Sequence, residues 1–203
     1  MLTVGLTGPS GAGKGLVASL FARYGIPSID TDAVYHTMLV PPSACLVELV
    51  ERFGEQILRP DGTLDRAALS ALVFDPANTD GLADLNRISH RYVLAEVRRG
   101  LNTYRESGVP AVLVDAPQLF ESGFDAECDR VLSVLAPRNV CLTRIMARDG
   151  LSPERATARL DAQFSELVFR ERSDDIIINE GAPDALDAEV RRLLTEWGVP
   201  YEI

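Results

Sequence analysis

The sequence is short of basic residues: 20 Lys and Arg stand against 30 Asp and Glu, for a formal net charge of −10. A nucleic-acid binder usually shows the opposite balance, so nucleic acid is not an expected partner. The acidic residues are spread along the chain, and an anionic substrate would have to meet a local basic cluster. Cysteine is scarce: Cys45, Cys128 and Cys141 are odd in number and show no CxxC spacing. That argues against a disulfide framework or a structural zinc site and leaves reduced thiols. No apolar run approaches the ~18–20 residues of a membrane span. The opening MLTVGLTG has neither a basic flank nor a cleavage signal. Internal repeats and low-complexity stretches are missing too. The expectation is a soluble, cytoplasmic protein without a membrane partner.

What is present is an alternation of short apolar runs with helical periods, the pattern of parallel βα units. The 203 residues suffice for one α/β core with an inserted lobe. Leu2–Leu6 reads as a first strand and Lys14–Tyr24 as an amphipathic helix, with Gly25 ending it. Pro27–Asp30 reads as a second strand. From about Ala33 to Glu106 the apolar positions recur at helical spacing and no convincing strand is found, which predicts a helical insertion. Strands are expected again at Pro110–Asp115, Val131–Leu135 and Asp175–Asn179. Helices are expected at Arg138–Asp149, at Ser152–Phe164 behind a Ser152 N-cap and Pro153, and around Leu186–Trp197. Five strands interleaved with helices predict a three-layer α/β fold on a parallel sheet.

The strongest motif is GPSGAGKG at residues 8–15, between the first strand and the first helix. A phosphate-binding loop needs backbone N–H groups turned around an anion. Gly8, Gly11 and Gly13 permit the turns, and the helix N-terminus adds positive potential. Lys14 is spaced to reach the β- and γ-phosphates of a nucleoside triphosphate. One position departs from the pattern: Gly15 and Leu16 follow Lys14, where Ser or Thr would offer a hydroxyl to Mg²⁺. Thr7 and Ser10 are other hydroxyls nearby in sequence.

In a parallel sheet, ligands bind at the carboxyl ends of the strands. Asp30 and Asp32 lie at the end of strand two and Asp115 at the end of strand three. Phosphoryl transfer to an alcohol benefits from a carboxylate that accepts the hydroxyl proton, and Asp32 is the candidate base. Asp115 suits the water shell of a metal ion, and Asp30 suits a turn or cap. Arg144 and Arg148 are four residues apart, as are Arg155 and Arg159, and Gln163 continues that spacing. Two basic faces flanking Asp149-Gly150-Leu151 suit a lid that closes guanidinium groups over a transferring phosphoryl group. The residues alone specify an ATP-dependent transfer to a small molecule. They leave open a nucleoside monophosphate or shikimate as acceptor, and a nucleotide-binding protein without catalysis.

Several segments, in order, resemble the dephospho-coenzyme A kinase family: IDTDAVYH at 29–36, LNRISH at 85–90, DAPQLFESG at 115–123, RIMARDGLSPERATARLDAQ at 144–163 and DIIINEGAPDAL at 175–186. The resemblance implies a P-loop fold of the nucleoside-monophosphate-kinase type as a single domain. Its core would be 1–32, 107–137 and 165–203, with an acceptor-binding helical insertion at 33–106 and a lid at 138–164. It implies phosphorylation of the ribose 3′-hydroxyl of dephospho-coenzyme A, with ATP and Mg²⁺. On that reading Asp32, Lys14, Arg144 and Arg148 are catalytic. Gly11, Ala12, Gly13, Lys14, Gly15, Leu16, Asn179 and Gly181 hold ATP. Asp32, His90, Pro117, Leu119 and Glu121 meet the acceptor, and Asp115 reaches the metal through water. Two positions differ from the family pattern: Arg91 follows His90 where Pro is usual, and Gln118 stands where Leu is common.

Overall fold

The computed structural model describes residues 1–181 and 183–201, and the chain divides into two compact units. The first comprises Met1–Asp30 and Leu101–Ile203, the second Thr31–Gly100.

The first unit is built on five strands: β1 (Leu2–Thr7), β2 (Ser28–Asp30), β3 (Ala111–Asp115), β4 (Arg130–Leu135) and β5 (Asp175–Ile178). They pair in parallel in the order β2-β3-β1-β4-β5. Strands covered on both faces favour apolar side chains, and β3 and β4 are buried along almost their whole length, with Ser133 of β4 hydrogen-bonded to Ser173. Val4 and Leu6 of β1 pack into one core with α1 (Lys14–Arg23) and α9 (Pro183–Glu196). Phe21 stacks on Trp197 there, with ring centroids 5.6 Å apart. On the other face Leu119 lies against Gly5, and Phe120 packs on Phe169 of α8 (Glu166–Arg172). Helices α6 (Arg138–Asp149) and α7 (Pro153–Asp161) follow β4. Among the described residues no helix is long and apolar enough to cross a membrane.

Several elements differ from expectation. The helix predicted over Ser152–Phe164 ends at Asp161, and a separate helix, α8, follows it. Ser165 is extended between them, so one continuous apolar and basic period in the sequence is cut by a turn. Strands β2, β3 and β5 are each one residue shorter than predicted, and β4 begins one residue earlier.

The second unit is helical, with α2 (Thr31–Met38), α3 (Ala44–Phe53), α4 (Arg66–Val73) and the greater part of α5 (Gly81–Ser107). Its own core gathers Leu46, Leu49, Phe53, Ile57, Leu69 and Ile88 among others. The helix starts are set by side-chain caps: Ser43 Oγ accepts the N–H of Leu46, and Asp65 Oδ1 accepts those of Ala67 and Ala68. Such caps contribute about 1 kcal/mol each.

Candidate active site

Residues 8–13 form the loop that leaves β1 and opens α1, with Gly13 at the N-cap. Gly8 and Gly13 have positive φ, +140° and +100°, which only glycine adopts readily. Space demands glycine as well. A Cβ on Gly8 would lie 2.1 Å from the Val134 carbonyl oxygen, and one on Gly13 would lie 2.2 Å from Asn179 Nδ2.

The loop is held from outside. Asn179, which is buried at the end of β5, donates from Nδ2 to the Ala12 carbonyl at 2.7 Å. Arg144 Nη1 donates to the carbonyls of Gly11 and Ala12, both at 3.2 Å, and its Nη2 donates to Asn179 Oδ1 at 3.3 Å. In a planar trans peptide the C=O and the following N–H point in opposite directions. Fixing the Ala12 carbonyl on Asn179 and Arg144 therefore turns the Gly13 N–H away from them. Lys14 is the only lysine in the sequence. Its Nζ donates to the Gly8 carbonyl at 3.1 Å, joining the two ends of the loop.

The arginine group divides into two kinds. Arg144 is half-buried and belongs to the loop's fastening, where sequence reading placed it over the phosphoryl group. Arg148 is exposed. It forms a two-pronged pair with Asp149, at 2.8 and 2.9 Å, and reaches Ser10 Oγ at 3.3 Å. Asp149 also accepts from Arg159. The Arg148 hydrogen bonds hold the Asp149 carboxyl below its usual range, with Arg159 adding to the effect. The same partner raises the basicity of Arg148.

Gln163, beyond the end of α7, accepts the Ser10 N–H at 2.9 Å. The sequence signalled it only as the next step of the arginine spacing. The fastening role of Asn179 carried no local signal at all.

The remaining candidates are distributed as follows. Asp30 and Asp115 end adjacent strands as register partners, and Asp115 also pairs in register with Leu6. Gly15 is exposed, Leu16 is 44% exposed, and Gly181 lies in the turn after Asn179 with Arg144 Nη2 as its neighbour. Pro117 is half-buried and Glu121 exposed. Leu119 is fully buried, so its side chain is a core group and not an acceptor contact. In the helical unit Asp32 is exposed in the first turn of α2, and His90 is half-buried on α5. That unit contains a cavity of about 200 Å³ lined by Tyr35, His36, Leu39, Arg66, Leu69 and Phe74 among others. Burial pushes the Tyr35 phenol up, so it stays protonated at neutral pH.

A nucleotide-bound divalent cation usually meets a hydroxyl directly after the loop lysine. Gly15 and Leu16 have none, and among the described residues no three His, Cys, Asp or Glu cluster to hold a metal ion. The two positions after Lys14 therefore offer no side-chain ligand to a metal ion.

A central parallel sheet, a glycine-lined loop ending in lysine at the start of a helix, and arginines anchored beside it define a P-loop phosphotransferase. The family model for dephospho-CoA kinase matches residues 2–184. The dephospho-CoA kinase of Symbiobacterium thermophilum is 40% identical over 191 residues, covering 94% of this chain and 79% of its own. That of Anaeromyxobacter dehalogenans is 39% identical over 196 residues, covering 97% and 92%. Among solved structures, dephospho-CoA kinase from Campylobacter jejuni superposes with a TM-score of 0.70 at 26% identity, covering 96% of each chain. The chain belongs to the dephospho-CoA kinase family, and it is an ATP-dependent kinase.

Proposed function

We propose that this enzyme transfers the γ-phosphoryl group of ATP to the ribose 3′-hydroxyl of dephospho-coenzyme A, giving coenzyme A and ADP. The observation that carries the proposal is the family match over residues 2–184, which spans the phosphate loop, the helical unit and the arginine-bearing helices. Both substrates are small molecules. The reading involves neither nucleic acid nor a membrane, and it suits the cytoplasm.

The loop amides and Lys14 bind the triphosphate and stabilise charge on the β- and γ-phosphates. Arg144 and Asn179 keep the loop in its anion-binding form, and Gly181 leaves room beside the nucleotide. Arg148, at the exposed turn of the 138–164 lid, supplies positive charge toward the transferring group. Asp32 orients the acceptor hydroxyl and takes its proton, as a carboxylate can when held within hydrogen-bond reach. The helical unit, Thr31–Gly100, holds the acceptor. Its cavity offers Arg66 and His36 to anionic and polar groups, and Leu39, Leu69 and Phe74 to apolar ones. His90, Pro117 and Glu121 complete the acceptor contacts. Asp115 would hold Mg²⁺ through the ion's water shell, and the ion would offset charge on the phosphates of ATP.

The test is a steady-state assay with ATP and dephospho-coenzyme A against nucleoside monophosphates and shikimate, for the wild type and Asp32→Asn. Dephospho-coenzyme A should be preferred by several orders of magnitude in kcat/KM. Asp32→Asn should lower kcat about 10²- to 10⁴-fold with ATP affinity retained. Equal turnover of several acceptors would refute the substrate assignment, and an unchanged kcat would remove Asp32 from its role.

A further inference from the structure

The glycines of the phosphate loop fall into two kinds. Gly8, Gly11 and Gly13 all have positive φ, and backbone or side-chain atoms occupy the space where a Cβ would lie. Gly15 has neither constraint. It sits in the first turn of α1 without positive φ, and a Cβ there would meet nothing within 4 Å. Glycine is a poor helix residue, so local structure favours almost any other residue at this position. The fold therefore gives no reason for a glycine at the point where a phosphate loop ordinarily presents its cation-binding hydroxyl. Leu16 offers no substitute: it is 44% exposed and lacks a polar group.

We infer that Gly15 sets the metal dependence of nucleotide binding, so that this chain binds its nucleotide through loop amides and Lys14 with no direct protein ligand to the divalent cation. The inference rests on the kinase reading above. It separates two contributions that most phosphate loops combine. The loop amides, Lys14 and the anchoring by Arg144 and Asn179 are intact and require no metal. A nucleotide should then bind nearly as well without a divalent cation as with one. Selectivity among cations of different size should also be weak, because no rigid protein oxygen fixes the ion's radius.

The open space at Gly15 makes the test clean. ADP binding is measured by calorimetry in EDTA and in saturating Mg²⁺, Mn²⁺ or Ca²⁺, for the wild type, Gly15→Ala and Gly15→Ser. The wild type and Gly15→Ala should show less than about threefold tightening with any cation. Gly15→Ser, which adds the hydroxyl, should tighten about tenfold or more in Mg²⁺, as expected for a gained contact to a charged group. Gly15→Ala controls for the change in helix propensity, and thermal melts should show both variants folded, at or above wild-type stability. A wild type already tightened tenfold by Mg²⁺ would overturn the inference, as would a Gly15→Ser variant no more metal-dependent than Gly15→Ala. Failure of the wild type to bind ADP under any condition would instead overturn the nucleotide-site reading beneath it.

Discussion

Asn179 Nδ2 donates to the Ala12 carbonyl at 2.7 Å across 167 residues of sequence, a buried contact between the end of β5 and the loop after β1. With Arg144 bridging both partners, it fixes the orientation of one loop peptide. The loop's shape therefore depends on the opposite end of the chain as much as on its own glycines.

Asn179→Ala should cost about 1–3 kcal/mol, because a buried carbonyl loses its best donor and Arg144 loses an acceptor. ADP affinity should fall about tenfold as the loop loosens. Urea denaturation and calorimetry read the two effects. Unchanged values for both would show that the contact is incidental.

Arg144→Ala and Arg148→Ala should behave differently. The first removes three hydrogen bonds from a half-buried guanidinium and should lower stability by about 2 kcal/mol together with nucleotide affinity. The second removes an exposed pair that contributes at most about 1 kcal/mol. It should leave the melting temperature nearly unchanged while lowering kcat by up to about 10³-fold. Melting curves and steady-state kinetics on both variants separate a loop fastener from a lid arginine.

Lys14 carries the only lysine amine in the chain. A lysine-selective reagent should therefore modify Lys14 and the N-terminal amine alone, and ATP should protect Lys14 selectively in peptide mass spectra. Lys14→Ala should lower kcat/KM about 10²- to 10³-fold or more, the usual cost of removing one charge-stabilising donor.

The thiols give a pH prediction. Burial pushes Cys45 up to about 11 and Cys128 up to about 12, from an ordinary 9.0, and nearby acidic groups add to the shift. Raised pKa values mean that the folded state holds these protons to higher pH than the unfolded state does. Their contribution to stability is complete below pH 9.0 and is lost as pH rises toward 11 and 12. A denaturation midpoint measured from pH 8 to 11 should fall across that window. Both thiols should react slowly with a thiol reagent at pH 8 until denaturant is added.

Much of the fold was legible because it rests on local patterns. The apolar runs around Val4, Leu113 and Leu132 mark strands covered on both faces, with only scattered buried hydroxyls such as Thr7 and Ser133 among them. The i, i+4 spacing of Leu16, Leu20 and Tyr24 and the Ser152-Pro153 start mark helices through their own side chains. Leu119 was misread because a motif position shows residue type and not direction; only the sheet reveals that it packs beneath Gly5. Helix α8 beyond Ser165 was missed because its seven residues are too few to show an apolar period.

By itself the sequence determined the parallel α/β order, the phosphate loop with its single lysine, and the missing hydroxyl at Gly15. These depend on residue identity and short spacing, which the linear chain carries in full. The tertiary structure decided that Arg144 and Asn179 hold the loop from behind, that Gln163 takes the Ser10 amide, and that Gly15 faces open space. The first two arise where segments more than a hundred residues apart meet, and hydrogen-bond partners at such separation leave no local period to read.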